Sequence, residues 1–119
     1  MDKVNLAEKL RLFDELWKPR IVGEVGGLHV KLVKLKGEFV WHKHDAEDEL
    51  FLVLKGRLKL EFRDRTLVLS QGEMCVVPKG VEHKSSADVE THVFLVEPPT
   101  TVNTGNVRDE HTLHRLERL

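Results

Sequence analysis

The chain has 119 residues, 40% of them hydrophobic and 33% charged, with nineteen Lys and Arg against twenty Asp and Glu for a net charge of -1. That length suits one domain, whose core buries roughly two-thirds of the surface exposed by the unfolded chain. The balanced charge lacks the basic field that a phosphate backbone requires, which argues against nucleic acid as a partner, and no apolar run approaches the roughly 20 residues that span a bilayer.

Residues 1–20 read as an N-terminal helical segment. Leu6, Leu10, Phe13 and Leu16 or Trp17 recur at helical spacing over residues 5–17. Asn5 with Glu8 forms a capping signature, and Pro19 stops the pattern. The segment has no apolar region with a cleavage site of the secretory kind. Cys75 is the single cysteine, so no internal disulfide forms. Together these features lead us to expect a cytoplasmic protein.

From residue 21 to 98 the apolar period is two. In LHVKLVKLKG the alternation puts Leu28, Val30 and Leu32 on one face and Lys31 on the other. FVWH follows Gly37 as a further extended stretch. In ELFLVL both parities are apolar, so that strand needs cover on both sides; the N-terminal helix or a second subunit supplies it, and we expect a homodimer. RLKLEFR places Leu58, Leu60 and Phe62 inside. TLVLSQG, EMCVVPKG and THVFLVEPP complete the series, punctuated by Gly72, Gly80 and Pro98. Short strands at these intervals predict an all-β sandwich or barrel. Residues 99–119 read as a polar surface segment with one short helical turn, and EPPTTVNTGN as a polar exit loop, with a place for its Thr and Asn at the rim of the barrel mouth as the alternative. Cys75 reads as apolar filler, and His29, His92, His111 and His114 as surface residues.

Taken alone, His42 and His44 read as a solvated pair beside an acidic loop. In an extended segment, however, residues two apart share a face. Glu49 opens the next strand, and His83 follows a Pro-containing turn that can return alongside. Three imidazoles and a carboxylate suit a divalent first-row transition ion. Four protein ligands leave two octahedral positions open. Glu47 and Asp48 then belong to the loop, with Asp48 facing outward.

These two stretches resemble the paired motifs of the cupin superfamily. The first reads Gly37, then His42-Lys43-His44, four residues, Glu49, six residues and Gly56. The second reads Gly72, five residues, Pro78-Lys79-Gly80, two residues and His83. The spacer from Gly37 to His42 has four residues where the family usually has five, and Ala87 stands where the family commonly has Asn. Neither position is a ligand. The resemblance implies a double-stranded β-helix barrel with a short N-terminal helix. It also implies one divalent ion (Fe, Mn, Zn, Ni or Cu) held by His42, His44, Glu49 and His83. We expect Val40, Phe51, Val53, Leu58, Leu60 and Phe62 to line an apolar pocket around that ion. The function expected is that of a metal-dependent enzyme, an oxygenase, isomerase or lyase acting on a small molecule. A non-catalytic ligand-binding or sensor module is the alternative. An all-apolar wall argues against sugar phosphates, which require cations in the pocket.

Overall fold

Alternation with a period of two builds seven strands between Arg20 and Glu97, and an eighth forms near the C-terminus. A computed structural model describes all 119 residues. Helix α1 (Leu6–Leu10) precedes β1 (Arg20–Val25), β2 (Leu28–Glu38), β3 (Glu49–Lys55), β4 (Arg57–Phe62), β5 (Thr66–Ser70), β6 (Met74–Val77), β7 (His83–Glu97) and β8 (Glu117–Arg118). The strands pair in the order β5-β4-β7-β2-β1-β8, and β3 joins β7 to β6. The long β7 changes partners along its length. Its first residues pair with β4, its last with β3, and β2 runs along its other edge. This exchange wraps the sheet around one interior, as expected for an all-β barrel.

The interior is one apolar cluster. Val33, Leu35, Phe51, Val53, Leu58, Leu60, Leu69, Val77, Ala87, Val93 and Leu95 pack together, with Cys75 and Phe62 at its margin. Burying such side chains contributes about 1.5–3 kcal/mol each. Turn chemistry holds the strands in place. Gly56 alone links β3 to β4 with φ 87°, and a Cβ there would lie 2.5 Å from Thr91 Oγ1 and 2.9 Å from the Glu90 carbonyl oxygen. Only glycine fits that crossing without strain.

The structure corrects the helix and the tail and decides the faces of β2. First, α1 spans five residues, not residues 5–17. Asn5 does cap it, its side chain accepting the Glu8 N–H at 3.0 Å. Beyond it the chain leaves the helix because barrel contacts outcompete helical ones. Phe13 buries with Val22 and Leu32 in an outer cluster, Leu16 bridges to Lys34, and the Trp17 N–H donates to the Lys34 carbonyl at 2.9 Å.

Second, the face of β2 that carries Leu28, Val30 and Leu32 turns outward. Leu32 lies in the outer cluster beneath Leu6 and Leu10, while Lys31 shares the inner parity of Val33 and Leu35 and is 1% exposed. The register with β7 sets this, pairing Lys31 with Leu95 and Leu32 with Phe94. Both faces of β2 are covered, so alternation alone could not tell inside from outside.

Third, the tail holds no helix. Glu117–Arg118 pairs parallel to β1, and Thr101 and Thr104 are buried. Thr100 donates to the Glu47 carboxylate at 2.9 Å, which ties the tail to the loop before β3.

Candidate metal centre

Residues 39–48 form an irregular connection rather than the strand expected for FVWH. A reciprocal pair of backbone bonds fixes it: the His42 N–H donates to the His83 carbonyl at 3.0 Å, and the His83 N–H to the His42 carbonyl at 2.9 Å. The Gly80 N–H donates to the His44 carbonyl at 2.7 Å. The Lys79 N–H donates to the Asp48 carboxylate at 2.9 Å, so Asp48 faces outward and clamps the Pro78–Gly80 turn. The tail adds another clamp. Lys43 and Asn106 exchange two hydrogen bonds, of 2.9 and 3.0 Å. Gly105 there sits so close that a Cβ would lie 2.2 Å from the Lys43 carbonyl oxygen.

These clamps bring His42, His44, Glu49 and His83 together. One ligand atom from each lies within 4.8 Å of the others, and all four residues are buried. Glu49 Oε1 is 3.3 Å from His44 Nε2 and 3.4 Å from His83 Nε2. These are close approaches without hydrogen-bond alignment. Both ring nitrogens of His44, Nε2 of His83 and Oε1 of Glu49 lack a hydrogen-bond partner although buried. Unpaired polar atoms in an interior are costly, and a cation at their centre would satisfy them together. His42 Nδ1 lies 2.9 Å from the Val40 carbonyl and His83 Nδ1 3.0 Å from the Val81 carbonyl. Donation there leaves each Nε2 with a lone pair to offer, as metal-ligating imidazoles require. The donor set therefore fits a divalent transition ion.

Electrostatics agree with this fit. Burial and the neighbouring His83 lower the His42 pKa to about 4, so its ring stays neutral at physiological pH. For His83, burial also disfavours the cation, but the Glu49 carboxylate outweighs it and raises the pKa. Burial likewise pushes the Glu49 carboxyl upward, and the contacts with His44, His83 and Glu97 override that and hold it well below the usual carboxylate range. Glu97 moves the other way. Its burial and the Glu49 charge raise it, against the pull of Lys31.

A cavity opens beside the cluster, lined by Trp17, Pro19, Val33, Leu35, Phe39, His42, Glu49, Phe51, Ser85, Leu95, Glu97 and Asn103. Its interior offers about 40 Å³ to the centres of water molecules, and about 440 Å³ counting the space out to its mouth. Of the six positions expected to line a pocket, Phe51 is on this wall. Val53, Leu58 and Leu60 are packed in the core beneath it. Phe62 lines a separate surface recess with Cys75. Val40 lies outside the cavity wall and contributes its carbonyl to His42.

Trp17, Phe39 and Glu97 were not expected here, and Asn103 takes the barrel-mouth alternative for EPPTTVNTGN over the favoured exit loop. Glu97 had a signal, since it continues the inward parity of Val93 and Leu95. Trp17 had none, because it reaches the cavity from a non-repetitive segment.

Residues 29–97 match the family described as the Cupin domain. An uncharacterised protein of Bacillus subtilis (strain 168), YdbB, is 39% identical over 77 residues, 64% of this chain and 68% of its own. A cupin-2 domain containing protein from Shewanella frigidimarina is 46% identical, with a TM-score of 0.79 over 80% of this chain and 93% of that one. Protein NMB1881 from Neisseria meningitidis is 32% identical, with a TM-score of 0.75 over 82% of this chain and 99% of its own.

Proposed function

Because the chain belongs to the cupin superfamily, we propose that His42, His44, Glu49 and His83 bind one divalent transition ion and that the adjoining cavity receives a small molecule for metal-dependent chemistry. The observation that carries this is the convergence of four buried ligand atoms, several of them without any protein partner. A bound ion would supply Lewis-acid or redox chemistry at its open positions, the capacity an oxygenase, isomerase or lyase requires. The chain's own contribution is to position and to exclude. His42 and His83 are oriented by backbone carbonyls, Glu49 supplies the negative charge, and Trp17, Phe39, Phe51 and Leu95 keep bulk water from the ligand. The choice among iron, manganese, zinc, nickel and copper follows supply and affinity order more than this donor set.

Elemental analysis of untagged protein should give about one transition ion per chain, followed by oxygen uptake or turnover with the iron or manganese form. Metal at background level would sink the site. Metal without turnover across a substrate panel would move the reading to a ligand-binding module. Ligand imidazoles must be neutral, so bound metal should be lost as pH falls below about 6. Dialysis that leaves the ion in place at pH 4 would contradict three imidazole ligands.

We also propose a homodimer through the outer sheet face. Val76, Leu50, Val96 and Val30 stand in one row across β6, β3, β7 and β2, and Met74, Leu52, Phe94 and Leu32 in the next. The N-terminal cluster covers the β2 end, whereas Met74 and Val76 remain 53% and 48% exposed. A contiguous apolar sheet face of this kind marks an interaction surface. Light scattering should report twice 13.7 kDa for the native chain, and 13.7 kDa for Val76→Arg with an unchanged fold. A monomeric native chain would refute this. The free thiol of Cys75 supports a reducing compartment, and we place the protein in the cytoplasm. No helix is long and apolar enough to cross a membrane.

A further inference from the structure

The cavity wall includes a buried pair, Lys31 and Glu97, whose carboxyl also touches the candidate ligand Glu49. Lys31 Nζ lies 2.7 Å from Glu97 Oε1, and the two side chains are 2% and 3% exposed. Lys31 faces a separate recess formed with the tail, where it stands beside Ile21, His29 and Thr101. Glu97 faces the cavity. The pair therefore sits in the partition between the two spaces. Glu97 Oε2 is buried and meets no N–H or O–H donor of the protein, although the carboxyl lies against that of Glu49. A buried oxygen left open beside a cavity is a ready place for a ligand group.

Another part of the cavity wall is aromatic. Trp17 and Phe39 stack with ring centroids 4.7 Å apart and planes 12° apart. Trp17 holds φ at 62°, a costly conformation for a bulky residue. Two bonds retain it, from its N–H to the Lys34 carbonyl at 2.9 Å and from Nε1 to the Lys36 carbonyl at 3.0 Å. Phe39 is fixed through its N–H to the Ser85 carbonyl at 2.9 Å. This part of the wall is flat and apolar.

We propose that Glu97, held by Lys31, determines specificity, its free oxygen pairing with a hydroxyl on a small ligand whose flat apolar body lies against Trp17, Phe39 and Phe51. This rests on the reading of the cavity as the ligand site. A hydroxyl both donates and accepts, so it matches that oxygen whether or not it carries a proton. An isostere lacking the hydroxyl leaves the oxygen unpaired and is rejected.

The test uses phenol and toluene, which share a shape and differ in the hydroxyl. Trp41→Phe leaves Trp17 as the sole tryptophan, and its emission reports cavity occupancy. In that protein loaded with Zn²⁺, phenol should bind at least about tenfold more tightly than toluene. Adding Lys31→Met and Glu97→Leu together removes both charges without stranding either. The phenol preference should then vanish or reverse, while Zn²⁺ uptake stays at one per chain. Equal binding of the two probes by the parent, binding of neither, or an undiminished preference in the variant overturns the proposal. A parent that takes up no Zn²⁺ refutes the metal reading instead, and the same titration on the metal-free chain still decides the role of Glu97.

Discussion

Glu49→Gln should abolish high-affinity metal binding while leaving the barrel folded. Glu49 is the one carboxylate among the four candidate ligands, and its Oε1 sits between His44 and His83. The amide keeps the shape and loses the charge that offsets a divalent cation. Loss of a group that merely orients a ligand costs 10–100-fold in affinity, so loss of a ligand should exceed about hundredfold. Without metal the variant should be somewhat less stable than the native chain, because the Glu49 charge, held well below the usual carboxylate range by His44 and His83, is gone. Thermal melts separate the two effects. At a thousandfold excess over Kd, an ion that binds only the folded state adds about 4 kcal/mol, or on the order of 10–20 °C for a chain of this size. Zinc should therefore raise the native melting temperature and leave that of Glu49→Gln in place. An equal rise in both would show that Glu49 is not a ligand.

The second large effect is on stability. Lys31→Met leaves the Glu97 carboxyl buried without its cation, and breaking such a pair costs about 3–5 kcal/mol. The double substitution Lys31→Met with Glu97→Leu should recover most of that loss, since apolar side chains of similar volume replace a buried pair at little net cost. The deficit of the single variant should also depend on pH. Burial and the Glu49 charge already raise the Glu97 pKa, and removing Lys31 raises it further. A carboxyl raised in the folded state contributes stability below its unfolded pKa and loses it as pH rises through the folded value. Chemical denaturation should thus show a larger deficit at pH 8 than at pH 5. A deficit under about 1 kcal/mol at pH 8 would mean that the pair is not buried as described.

These two sites differ in how far the sequence revealed them. The four candidate ligands were legible because each sits at a fixed short offset from a glycine or proline that forces a turn. Gly56 and Gly80 hold φ of 87° and 82°, so the turns occur where local chemistry demands them. Leu58 and Leu60 were legible for a similar reason, since β4 has one polar and one apolar face. Lys31 was not. Both faces of β2 are covered, and its partner Glu97 is 66 residues away. The helix expected over residues 5–17 failed through tertiary override: Phe13 and Trp17 gain more from the barrel wall than from a helical turn.

The sequence by itself therefore determined the barrel class, the turns and the identity of four converging donors, because these depend on residue type and spacing within a few positions. Only the tertiary structure decided which face of β2 turns inward and that the tail clamps the His42–His44 loop through Gly105 and Asn106. It also brought Trp17, Glu97 and Asn103 to the cavity wall. Those outcomes arise from packing between segments far apart in the chain, where register and volume select among arrangements that local pattern leaves equal.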